Sequence, residues 1–209
     1  MKAPTKEFQE SSSPKDVIAM LREGNARFVK NERRMRDLLE QVDATKGGQA
    51  PLAAIVGCID SRVAPEYVFD QPIGAIFSVR LAGNVVNTDV LGSLEFSCKV
   101  AGSKLVVVLG HERCGAVMGA CDGVHLGNLT LTLARIAPAV DQALPNLPDD
   151  DRTSANPEFV HAVGIKNVRI GLAEIRKHSE ILAGMEAAGD IMIVGAYYDV
   201  STGAVHFLD

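Results

Sequence analysis

The chain shows two hydrophobic patterns in succession. Val17, Met20, Leu21 and Phe28 recur at spacings of three, four and seven and predict one apolar helix face. A second helix is expected over 31–44, ending before the Lys46-Gly47-Gly48 triplet. Residues 1–14 are polar and read as a flexible lead. The two helices form an arm over 15–46, and 15–209 reads as one domain including that arm.

From position 52 the pattern changes. LAAIVG (52–57), AIFSV (75–79), LVVVL (105–109) and IMIVGA (191–196) are short apolar runs without alternation. Runs of this kind suit strands buried on both faces of a parallel sheet. Helical segments fall between them, at about 88–101, 115–122, 128–143 and 158–187. The ending YYDVSTGAVHFL predicts a hairpin around Thr202-Gly203 and an antiparallel edge strand. The fold class is therefore α/β: a mostly parallel central sheet of four strands plus that edge strand, flanked by helices, with an N-terminal helical arm.

Composition narrows the functional classes. Apolar residues make up 47% of 209, enough for a sizeable core. A net charge of −5 offers no basic excess to neutralise phosphates, which argues against a nucleic-acid partner. The one basic cluster, ERRMR at 32–36, adjoins DLLE and reads as a solvated helix face. There is no apolar run of about 18 residues, hence no membrane span. The N-terminal stretch has no apolar segment of a signal peptide, so the expected location is cytoplasmic. Four cysteines are too few for a disulfide framework and point to metal binding or packing.

Two stretches carry the chemistry. GCIDSR (57–62) follows the first apolar run and GHERCG (110–115) follows the third. Ligands of open parallel sheets bind beyond the carboxyl ends of the strands. Cys58 and Asp60, two apart on extended chain, point the same way. His111 and Cys114, three apart, lie one helical turn from each other. A helix beginning after Cys114 should lower its thiol pKa. Two thiolates and an imidazole suit zinc. Either motif alone is compatible with buried structural side chains.

CIDSR together with GHERCG resembles the β-class carbonic anhydrase family, with its C-x-D-x-R and H-x-x-C signatures. The likeness extends over 48–84, LGSLEF (91–96), VVVLGHERCGAV (106–117) and GAYYDVSTGAVHFL (195–208). It implies reversible hydration of CO2 to bicarbonate and a proton by zinc-bound hydroxide, with one Zn2+ per chain. Cys58, His111 and Cys114 match the family's zinc ligands, and Asp60 matches a fourth ligand only in a closed state. Asp60 and Arg62 match its catalytic dyad. Gly115 matches a bicarbonate-binding backbone N–H and Gln49 a substrate-binding glutamine. Phe77, Ala82 and Phe96 match the apolar CO2 pocket. The resemblance also implies a homodimer or a dimer of dimers, with some pocket residues coming from the partner.

Three positions depart from the family pattern. Ile59 replaces a common Ser, and Phe96 stands where many members carry Tyr. Ile55 occupies the position of a Trp in the bicarbonate-inhibited subgroup and Arg80 matches an arginine found across the family, which together imply no strong bicarbonate-induced shutdown. Cys98 is in line with Leu91 and Leu94 and is expected in the core. Cys121 and His125 are weaker alternative ligands. His161, His178 and His206 are isolated and read as surface or edge residues. Gly110 and Gly115 make no phosphate loop, because no G-K-S/T follows. Two rival functions remain at this point: hydrolysis of CS2 or COS on the same scaffold, and a non-catalytic zinc or thiol module.

Overall fold

A computed structural model describes residues 2–208. The arm contains α1 (Lys6–Ser11), α2 (Pro14–Val29) and α3 (Leu38–Thr45). The body follows as β1 (Ala53–Gly57), α4 (Pro65–Val68), β2 (Ile76–Arg80), α5 (Thr88–Glu95), β3 (Leu105–His111) and α6 (Gly115–Cys121). It closes with α7 (Leu129–Ala134), α8 (Ala137–Gln142), α9 (Pro157–His178), α10 (Glu180–Ala187), β4 (Met192–Tyr198) and β5 (Val205–Leu208).

The expected sheet is present. Its order is β2-β1-β3-β4-β5, with β1, β2, β3 and β4 parallel and β5 antiparallel to β4. Both faces of the central strands β1 and β3 are covered, as their unalternating runs require, whereas β2 at the sheet edge is only partly buried, with Ser78 exposed. Ala53, Ile55, Leu105, Val107 and Leu109 pack beneath Val17 and Leu21 of α2. Ala54, Val56, Val106 and Val108 face Val90 and Leu94 of α5 and Val168 and Ile175 of α9. Ile55 is fully buried. Cys98 belongs to the second of these clusters, and burial pushes its thiol up to about 12.

The arm departs from expectation. The lead is partly helical: Thr5 caps α1, and the buried Gln9 donates through Nε2 to the carbonyls of Pro51 and Ala101. The expected second helix over 31–44 is only α3, Leu38–Thr45. Asn31 takes a left-handed conformation (φ 57°), and the chain runs without regular structure to Asp37. The basic cluster is consequently not a solvated helix face. Arg36 pairs with the fully buried carboxylate of Asp70, Arg27 Nε donates to the same carboxylate at 2.7 Å, and the Arg34 N–H donates at 3.3 Å. Ion pairing to a buried acid outweighs local helix propensity here. Further on, the segment expected over 128–143 is two helices, α7 and α8, and that over 158–187 is divided at Ser179, the N-cap of α10.

Candidate metal centre

The sheet order reverses direction between β1 and β3: β2 lies to one side of β1, and β3 and β4 lie to the other. Such a switch point opens a crevice at the strands' carboxyl ends. Cys58 follows the last residue of β1, and His111 ends β3. The topology therefore joins two motifs whose cysteines, Cys58 and Cys114, are 56 positions apart in sequence.

Cys114 reaches the same point by a different route from the helical turn expected. Arg113 adopts φ 53°, and Cys114 is extended (φ −71°, ψ 116°) as the N-cap of α6. This left-handed turn brings the chain back toward His111; such backbone positions cluster at functional sites. Cys58 Sγ, Cys114 Sγ and a His111 ring nitrogen all lie within 4.8 Å of one another, and all three residues are buried. The sulfurs are 3.8 Å apart. Among the described residues this is the one cluster with metal-binding spacing; Cys121 and His125 are not part of it.

Protonation within the triad follows from its contacts. His111 Nδ1 lies 2.8 Å from the Glu112 carbonyl oxygen, which can only accept, so Nδ1 carries the proton. Nε2 is then a lone pair, and it is buried without a hydrogen-bond partner. The Cys58 thiol is held down to about 4, first by the Cys114 S–H, then by the N–H groups of Gly83 and Asp60, against the opposing effect of burial. Cys114 shifts upward because the Cys58 sulfur and burial both favour its thiol. The N–H groups of Ala116 and Val117 at the start of α6 pull the other way but are outweighed, so the expected net lowering at Cys114 does not occur. A buried orphan imidazole nitrogen beside a thiolate and a thiol fits a divalent metal, whose binding would displace the remaining thiol proton.

Asp60 does not join this cluster. Arg62 Nε donates to Asp60 Oδ1 at 3.0 Å, Nη2 donates to Oδ2 at 2.7 Å, and the Arg62 N–H adds a bond to Oδ1 at 2.9 Å. These Arg62 hydrogen bonds hold the Asp60 carboxyl down at about 2. The loop is fixed from below by Arg80, whose Nε donates to the Cys58 carbonyl at 2.9 Å and Nη2 to the Asp60 carbonyl at 2.6 Å.

Gly115 is the first residue of α6, where helix N–H groups lack intrahelical acceptors, and a Cβ there would meet open space. Ala82 lies in the turn Ala82–Asn84, whose Gly83 N–H donates to Cys58 Sγ at 3.4 Å. The other pocket residues lie elsewhere in the single chain. Gln49 lines a cavity of about 530 Å³ with residues of the arm. Phe77 and Phe96, with ring centroids 6.2 Å apart, line another of about 610 Å³. Neither cavity includes Cys58, His111 or Cys114. Ile59 and Phe96 are exposed at 61% and 54%. His161, expected to be isolated, is bonded to Glu112 and stands edge-on to the Tyr197 ring at 5.2 Å. His178 sits 3.3 Å from Glu174 on α9.

Residues 53–205 match the family model described as carbonic anhydrase, about three quarters of the chain. The chain belongs to the β-carbonic anhydrase family. Carbonic anhydrase 2 of Mycobacterium tuberculosis is 38% identical over 198 residues, covering 92% of each chain. A β-carbonic anhydrase of Aspergillus fumigatus superimposes with a TM-score of 0.71 at 27% identity, covering 93% of this chain and 90% of that one. A tetrameric β-carbonic anhydrase of Sordaria macrospora shares the fold, with a TM-score of 0.70 at 24% identity over 78% of this chain and 83% of its own. Carbonic anhydrase is thus the enzyme class of this chain.

Sequence reasoning missed two supporting residues, Gly83 and Asn167. Gly83 had a local signal, the Gly83-Asn84 pair after a strand. Asn167 had a weaker one: a polar residue on the buried α9 face shared with Val163, Gly164, Val168, Gly171 and Ile175.

Proposed function

We propose that this carbonic anhydrase interconverts CO2 and bicarbonate with one zinc ion per chain, held by Cys58 Sγ, His111 Nε2 and Cys114 Sγ. The observations that carry the reading are the buried, unpartnered Nε2 of His111 and a His111 ring nitrogen within 4.8 Å of two buried sulfurs. Zinc bound there would act as a Lewis acid, lowering the pKa of water toward neutrality. Two thiolates neutralise much of the metal charge, so this effect is weaker than with three neutral histidines.

The chain's own groups supply the rest. Glu112 fixes the His111 ring through its carbonyl, keeping the ligating nitrogen unprotonated. Arg62 keeps the Asp60 carboxylate ionised and turned away from the triad, ready to accept a hydrogen bond from a substrate or water O–H. Asp60 would become a metal ligand only in a closed state, once released by Arg62. Gly115 N–H and the Gln49 amide suit the oxygens of bicarbonate, which carry charge. Phe77, Ala82 and Phe96 suit CO2, which carries none. Gln49, Phe77 and Phe96 line cavities that do not include the triad, so the reading places a second copy of the chain over the cleft, in a homodimer or dimer of dimers. The tetrameric Sordaria macrospora protein supports that assembly.

Metal content and CO2 hydration measured on one sample test the reading. The expected result is one zinc per chain with hydration, both lost on chelation and both restored by zinc. Full hydration by metal-free protein would overturn it. So would zinc-loaded protein that hydrolyses CS2 or COS but leaves CO2 untouched.

A further inference from the structure

The turn that follows β2 touches the triad at one atom, and a distant helix holds that turn in place. Gly83 N–H donates to Cys58 Sγ at 3.4 Å. Gly83 has φ 71° and ψ 22°, a left-handed conformation open to glycine at little cost. A Cβ at this position would lie 2.6 Å from Ile136 Cδ1 and 3.2 Å from Ala116 Cβ, so the backbone is packed as closely as glycine permits. The Gly83 carbonyl accepts a hydrogen bond of 2.8 Å from Nδ2 of Asn167. Asn167 lies in the middle of α9, is 4% exposed, and is separated from Gly83 by 84 positions. Glycine has the freest backbone of any residue, so an N–H on glycine is aimed only if something else restrains it. Here the polar restraint on the Gly83 carbonyl is one buried amide, beside the packing of Ile136 and Ala116.

We propose that Asn167 is a positioning residue for the metal centre: by pinning the Gly83 carbonyl it aims the Gly83 N–H at the Cys58 sulfur and thereby moderates that thiolate as a metal donor. An N–H···S hydrogen bond withdraws electron density from the sulfur. A thiolate so bonded donates less charge to a metal, which leaves the metal the stronger Lewis acid. Groups that orient metal ligands in this way set affinity and reactivity together with the ligands themselves. The inference rests on the reading of Cys58 as a metal thiolate.

The test uses the full-length protein loaded with Co2+ or Cd2+. Asn167→Leu keeps the branched side-chain shape at a larger volume and removes the donor, while Asn167→Gln retains an amide. Loss of the N–H···S bond raises the energy of the sulfur lone pair. The near-ultraviolet thiolate-to-cobalt band of Asn167→Leu is therefore expected at longer wavelength than in the wild type. Its metal affinity, measured by chelator competition, is expected to fall by about 10- to 100-fold, because loss of ligand orientation in the unpinned turn outweighs the stronger donation of the freed sulfur. Asn167→Gln is expected to recover part of both. A purely structural role would lower the thermal midpoint and leave the band where it was, and that result would overturn the proposal. A second measurement tests the Gly83 N–H···S bond on which the proposal depends without any variant, and its comparison with Asn167→Gln reads the part played by Asn167 if Asn167→Leu does not fold. In the cadmium-loaded wild type, the Gly83 amide proton should show scalar coupling to cadmium through the sulfur, and absence of that coupling would equally overturn the proposal. Failure of the wild type to bind either metal would instead sink the reading of the triad as a metal site.

Discussion

Arg62 grips both carboxylate oxygens of Asp60, with Nε at 3.0 Å from Oδ1 and Nη2 at 2.7 Å from Oδ2, and so keeps the acid out of the Cys58–His111–Cys114 cluster. Two parallel donors at fixed spacing are available from a guanidinium and not from an ammonium. Arg62→Ala is expected to keep its metal and lose about 100-fold or more of CO2 hydration, the usual scale for a proton-handling or positioning group. Arg62→Lys should recover little of it. Metal analysis beside stopped-flow hydration reads both; a metal-replete, fully active Arg62→Ala protein would reject the dyad and leave the triad intact.

Cys58→Ser should lose most of its zinc. Serine offers a hydroxyl in place of a thiol whose pKa the Cys114 S–H and nearby N–H groups lower, and a hydroxyl is the poorer metal donor. Cys121→Ser, outside the cluster, should retain full metal content. Metal analysis of the two purified variants separates these outcomes.

Gly83→Ala should destabilise the fold by about 1–3 kcal/mol, the range for overpacking a closed site. The new methyl would meet Ile136 Cδ1 at 2.6 Å, on a backbone at φ 71°. Urea unfolding of the two proteins gives the difference directly. A change within a few tenths of a kcal/mol would mean that the turn relaxes freely.

Asp70 provides a prediction with a pH dependence. Its burial alone would raise the carboxyl pKa, but Arg27, the Arg34 N–H and Arg36 together outweigh that and lower it. The folded pKa therefore lies below the unfolded value of about 3.9. The stabilisation this shift represents is complete above about pH 4 and drains away as pH falls below it, through the folded pKa. Asp70→Asn should cost about 3 kcal/mol at neutral pH, because two arginines lose a buried partner. The gap between wild type and variant should narrow on acidification below about pH 4. Unfolding curves across that range check it, and a gap that widens would contradict the assigned sign.

Much of the molecule was determined by sequence alone, for a local reason. A strand buried on both faces must be apolar throughout, so 52–57 and 105–109 announced themselves without knowledge of their neighbours, while 75–79 proved a strand at the sheet edge that is only partly buried. Cys58 with Asp60 and Arg62, and His111 with Cys114, are likewise set by spacing along a few residues. What the tertiary structure decided depends on groups distant in the chain. The turn at 31–37 is shaped by Asp70, a residue more than thirty positions away, so helix propensity in that stretch was a poor guide. The direction of the Cys114 shift depends on a sulfur from another strand, which outweighs the helix start beside it. Asn167 means nothing to the metal centre until α9 packs over the turn at Gly83, because a hydrogen bond across 84 residues leaves no periodicity in the sequence. Local patterns are written in spacing, whereas partnerships between buried polar groups exist only once the sheet and its helices have closed around them.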